Sequence, residues 1–110
     1  MIITVVKLQS MAGKRRELQQ TLESLASLTQ TEAGCLESSL YQRVGVETDF
    51  LLLGAWQSRM ALDDHLQSNR FSVLLGVKCL LSRPPEMVIH TVAETTEFRS
   101  LNPEHVTTER

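Results

Sequence analysis

The chain has 110 residues, of which 42% are hydrophobic and 22% charged, and its formal charge is -2. That length holds one domain of ordinary size, and the composition excludes a disordered or membrane-embedded chain. The weak net charge gives no electrostatic footprint for phosphate backbones. The only basic cluster, Lys14-Arg15-Arg16, falls in the first turn of an expected helix, so nucleic acid is not an expected partner.

In chain order, Ile2 to Leu8 carries Ile2, Val6 and Leu8 on one face and Ile3, Val5 and Lys7 on the other, the pattern of a strand buried on both sides. Gly13 permits a turn. From Lys14 to Thr29, Leu18, Leu22, Leu25 and Leu28 recur at spacings of four and three, which predicts an amphipathic helix. Thr31-Glu32-Ala33-Gly34 closes it, with Gly34 suited to a left-handed turn. Cys35 to Val44 alternates with Leu36, Leu40 and Val44 on one side and Glu37, Tyr41 and Arg43 on the other, so a half-polar strand follows. The loop containing Gly45 and Asp49 joins it as a hairpin to Phe50–Trp56, a run with no polar face and therefore an inner strand.

Ser58 then offers an N-cap, and Leu62 with Leu66 forms an apolar pair one turn apart, which predicts a short helix. Asn69 and Arg70 interrupt the pattern. Phe71, Leu74, Leu75, Lys78 and Leu81 mark a second helix or a bent continuation, in which Gly76 suggests close packing, and Pro84-Pro85 ends it. Met87 to Val92 is the last strand. The order strand, helix, strand, strand, helix, strand is that of an α+β ferredoxin-like split βαβ sandwich with helices on one face of an antiparallel sheet. Two helices cover one face only, so the apolar second face of the inner strands calls for a homodimer. Residues 94–110 are polar and contain Asn102-Pro103, and an extended arm or tail is expected beyond a domain spanning 1–93.

Cys35 and Cys79 are too few for a disulfide framework and lack zinc-site spacing, so both are read as reduced thiols. No apolar run approaches the ~18 residues of a membrane span, and no basic segment precedes the apolar start MIITVVKLQS, so a cytoplasmic protein without membrane association is expected. Nucleotide fingerprints of the G-x-G-x-x-G or G-x-x-x-x-G-K type are missing, as is a flavin-type one, and no bound cofactor is expected. Three scattered histidines make no metal cluster.

The chemistry concentrates at the strand-to-helix corner, where Trp56, His65, Ser68 and Phe71 bring side chains able to stack, exchange a proton and donate a hydrogen bond toward one cavity. An unperturbed imidazole titrates near ~6.5, so His65 suits proton exchange with a phenolic substrate. The bland reading makes it a helix-edge histidine bonded to a carbonyl. Ser68 is read as the N-cap of the next helix rather than as a nucleophile, having no second histidine or acid at triad spacing to activate it. Tyr41 can reach the same cavity if its strand face allows, or else point outward over a dimer contact. His90 is read as structural and His105 as solvated.

The segments GCLESSLYQRV, FLLLGAWQSRMALDDHLQSNRF and LLSRPPEMVIHTV resemble the antibiotic-biosynthesis-monooxygenase family across residues 1–93. The most specific part is the ordered string Trp56, Ser58, Ala61, Leu62, His65, Ser68 and Phe71. The resemblance implies a homodimer forming a dimeric α+β barrel, with a substrate cavity between each sheet and its helices. It also implies cofactor-independent monooxygenation of a small aromatic or quinol-like molecule by dioxygen; joined to the corner reading, this makes His65 the candidate catalytic residue and Trp56, Phe71, Tyr41 and Ser68 the candidate substrate-binding ones. Two departures matter. Many members carry an acidic residue where this chain has Gly54, which keeps open a non-catalytic small-molecule-binding or stress-response protein of the same fold. The haem-degrading branch uses an asparagine, a tryptophan and a histidine where this chain has Val6, His65 and Val77, which argues against haem degradation.

Overall fold

The computed structural model describes residues 1–98. It runs β1 (Ile2–Gln9), α1 (Arg15–Thr29), β2 (Cys35–Gln42), β3 (Asp49–Trp56), α2 (Arg59–Leu66), α3 (Asn69–Gly76), a 3-10 turn at Val77–Leu80, and β4 (Glu86–Thr91). The sheet order is β2-β3-β1-β4, and each neighbouring pair is antiparallel. The two strands with apolar residues on both faces, β1 and β3, are thus the central pair. Cross-strand partners Val6 and Leu52, Leu8 and Phe50, and Ile2 and Trp56 share the face toward the helices. On the opposite face Ile3, Val5, Leu51 and Leu53 are only partly buried.

Two packed clusters hold the layers together. Leu18, Leu22 and Leu25 of α1 meet Val6, Leu8, Phe50 and Leu74 in the larger, while Ile2, Trp56 and Leu62 form the smaller. Leu18, Leu22 and Leu62 are fully buried, and each such side chain contributes about 1.5–3 kcal/mol by its removal from water. Leu28 departs from the expected stripe. It is 49% exposed, because Ala26 and Thr29 take the inward positions of the last turn and no element covers Leu28.

The short helix expected after Ser58 is α2, and the second one expected from Phe71 to Leu81 divides into α3 and the 3-10 turn, with Asn69 and Arg70 opening α3. Ser68 breaks the path between α2 and α3, and α3 tightens into the 3-10 turn instead of continuing to Leu81, which bridges to Ser10. The close packing expected at Gly76 is not there: a Cβ at this position would meet nothing within 4 Å. Gly34 shows the tight contact instead. Its φ is +81°, and a Cβ on it would lie 2.5 Å from that of Ala61, so only glycine lets the α1–β2 turn lie against α2. Residues 94–98 have no helix or strand, and the remainder of the expected arm, 99–110, lies outside the described residues. Among the described residues no helix is long and apolar enough to cross a membrane.

Candidate active site

Trp56 closes β3 on the helix-facing side, paired with Ile2 and Cys35, and is 1% exposed. Two residues later the Ser58 hydroxyl accepts from the Ala61 N–H at 3.2 Å, which starts α2 at a defined angle. Leu62 then packs on Trp56 and Ile2, and the next turn carries His65 over the indole. The ring centroids of His65 and Trp56 are 4.6 Å apart at 32°. Phe71 meets the imidazole edge-on at 5.6 Å and 70°. The structure therefore brings three of the corner residues into one stack.

Ser68 and Tyr41 stand apart from it. The Ser68 hydroxyl accepts from the Phe71 N–H at 3.2 Å and donates to the His65 carbonyl at 2.6 Å. It is the joint between α2 and α3. Both its hydrogen-bonding roles are used, and it lines an outer groove with Glu32, Asp64 and Arg70 instead of the cavity. Tyr41 sits opposite Leu51 on the other face of the sheet and is 50% exposed. Strand alternation requires this, since Leu40 packs toward α1 and its neighbour must point away. Tyr41 lines a separate hollow of about 250 Å³ with Lys7, Arg43 and Arg83, remote from the imidazole. His90 is exposed on β4, and His105 lies outside the described residues.

The cavity between sheet and helices is lined by Thr4, Leu52, Trp56, His65, Phe71 and Met87, among others, and measures about 40 Å³. A benzene-sized guest needs a space of roughly 150 Å³. An aromatic ligand is therefore admitted only when lining side chains move aside. Two buried polar groups mark one wall: Thr4 Oγ1, 3.5 Å from the Gly54 carbonyl, and Trp56 Nε1, which has no hydrogen-bond partner among the described residues. Gly54 makes room for both. A Cβ there would fall 2.5 Å from Thr4 Oγ1 and 3.0 Å from Trp56 Nε1.

A residue read from the sequence only as part of a turn completes the arrangement. Glu32 Oε1 lies 2.9 Å from His65 Nδ1, and the two side chains are 15% and 12% exposed. The contact exists because the α1–β2 turn lies against α2 at Gly34, and no local spacing signals it. Arg70 Nη1 is 3.6 Å from Glu32 Oε2 and donates to the Leu28 carbonyl at 2.8 Å and to Thr31 Oγ1 at 3.2 Å. His65 Nε2 has no partner among the described residues. Nearby, burial pushes the Cys35 thiol above its ordinary value; a hydrogen bond to the Glu37 carbonyl opposes this, and the charges of Glu32 and Glu37 add to it. No group of three or more His, Cys, Asp or Glu side chains among the described residues is placed to hold a metal ion.

Comparison with known proteins agrees with this architecture. A family model described as antibiotic biosynthesis monooxygenase matches residues 1–74. YcnE of Bacillus subtilis (strain 168), a monooxygenase by name, is 27% identical over 95 residues, covering 86% of this chain and all of that one. Among solved structures, one from Deinococcus radiodurans titled an antibiotic biosynthesis monooxygenase superposes with a TM-score of 0.82 at 22% identity, covering 89% of this chain and 98% of the other. SnoaB from Streptomyces nogalater, titled a cofactor-independent oxygenase, superposes at 0.73 with 14% identity, covering 86% and 94%. The two structures establish the shared fold.

Proposed function

Because the chain belongs to the antibiotic biosynthesis monooxygenase family, we propose that it is a cofactor-independent monooxygenase of a small aromatic or quinol-like molecule, with dioxygen as co-substrate. The observation that carries the reading is the His65 imidazole stacked on Trp56 in the cavity wall, with Nε2 free of any partner among the described residues. His65 takes a phenolic proton through Nε2. Trp56 and Phe71 stack on the ring, and the unpartnered Trp56 N–H donates to a substrate oxygen. The electron-rich phenolate then reduces dioxygen itself. A carbon–oxygen bond forms, the ring C–H proton is lost as the O–O bond breaks, and a quinol leaves as hydroxyquinone plus water. All four electrons come from the substrate, so no external reductant enters. The apolar wall excludes water from the anion.

The partly buried face of Ile3, Val5, Leu51 and Leu53 supports a second proposal, a homodimer packed sheet to sheet. One observation favours a rival function. Gly54 stands where many members carry an acidic residue, and the room beside it is filled by Thr4 and Trp56, which suits a binding protein without turnover.

Oxygen uptake with a panel of quinols separates the two. Turnover is expected, and His65→Gln should lower it by on the order of 100-fold while stability moves by less than about 2 kcal/mol. Quinol-induced stabilisation without oxygen uptake supports the binding protein, and a fully active His65→Gln removes His65 from the mechanism.

A further inference from the structure

Glu32 and His65 are 33 residues apart in sequence and 2.9 Å apart in space. An ionised carboxylate only accepts hydrogen bonds, so the contact requires a proton on Nδ1. In a neutral imidazole that leaves the lone pair on Nε2. A free histidine side chain prefers the opposite tautomer, with its proton on Nε2, which would present a donor where a base is needed. Glu32 lines the outer groove and not the cavity, so its carboxylate approaches the imidazole from the side away from the substrate space.

We infer that Glu32 is the positioning residue of this site: it holds His65 in the Nδ1–H tautomer and offsets the positive charge that forms when Nε2 takes the substrate's proton. The inference rests on His65 acting as the base. The proton passes from the substrate hydroxyl to Nε2, while the Nδ1 proton stays in its bond to Glu32 and the carboxylate is never protonated. Arg70 stands 3.6 Å from the second carboxylate oxygen, which is buried with no hydrogen-bond partner among the described residues, and through Leu28 and Thr31 it ties the turn to the start of α3. A pin that only fastened α2 to the turn would impose the same tautomer and serve stability alone, so the tautomer tests the contact and kcat tests the role.

The test is nitrogen-15 NMR of the imidazoles in the full chain, above the pH at which they titrate. The chain has three histidines, and His65 is identified by the resonances missing in His65→Gln. The wild type is expected to show the Nδ1–H form at His65, and Glu32→Ala to shift it toward Nε2–H. Glu32→Gln, whose amide oxygen still accepts, should keep the tautomer and lose the charge. With a quinol substrate, Glu32→Ala should lower kcat by about 10- to 100-fold with KM changed by less than about 3-fold. A wild-type proton on Nε2 overturns the inference, as does an unchanged tautomer in Glu32→Ala. If that variant fails to fold, the wild-type tautomer and the kcat of Glu32→Gln decide, and an undiminished kcat there overturns the charge role. The expected tautomers with no quinol oxidised would sink the monooxygenase reading alone, and full kcat in Glu32→Ala would sink the role of Glu32 alone.

Discussion

Gly54→Ala tests the geometry of the cavity wall with one carbon. The added Cβ would sit 2.5 Å from Thr4 Oγ1 and 3.0 Å from Trp56 Nε1, both closer than ordinary van der Waals contact. Neither neighbour can yield easily. Thr4 is 6% exposed on a central strand with a short branched side chain, and Trp56 is 1% exposed beneath His65. Overpacking of this kind costs about 1–3 kcal/mol, and replacing a strand glycine returns about 0.5–1 kcal/mol of backbone entropy. The net expectation is a loss of about 1–2 kcal/mol, and Tm falls by about 4–8 °C per kcal/mol in a domain near this size. Trp56 is the only tryptophan, so urea unfolding followed by intrinsic fluorescence reads both the stability and the altered wall. In a Thr4→Ala background the nearest atom is gone, and the cost of Gly54→Ala should shrink by about 1 kcal/mol in a double-mutant cycle. A Gly54→Ala protein as stable as wild type, or one whose cost is the same with and without the Thr4 side chain, would refute the argument. By the same geometry Gly54→Glu should fill the cavity and displace the Trp56–His65 stack, so the acidic residue of other members is not restored by one substitution.

Two further outcomes are expected. The raised Cys35 value means that the folded chain keeps this proton at pH values where the unfolded thiol, titrating near ~8.5, has lost it, so stability should fall as pH rises above that range. Urea midpoints between about pH 7.5 and 10 should fall less steeply in Cys35→Ala, and identical slopes would remove the linkage. For the proposed dimer, Leu53→Lys puts a charge on the sheet face away from the helices and should give a folded monomer by sedimentation. A wild-type monomer at micromolar concentration would end that proposal.

The fold was legible because its signals are local. Alternation in β2, apolar residues on both faces of β1 and β3, and the leucines of α1 are each a pattern within one element, and their order names the α+β class. The hydroxyls of Ser58 and Ser68 mark both helix starts, and the corner Trp56, His65 and Phe71 is one short stretch whose strand-to-helix turn imposes proximity. Relations between elements were decided by tertiary structure. The face taken by Tyr41 depends on the pairing of β2 with β3, shifted by a bulge at Cys35 and Glu37, and a one-residue shift in a strand reverses every side chain. Leu28 continues a helical stripe but reaches past the elements that cover it. Gly54 reads as a gap in a family pattern, while its neighbours Thr4 and Trp56 show it to be the point where two buried side chains converge. Glu32 reaches His65 only because Gly34 lets a turn lie against α2. Periodicity tells which face of a segment is apolar, but the distance between two side chains on different segments is set by how the layers pack, and that distance makes the candidate base.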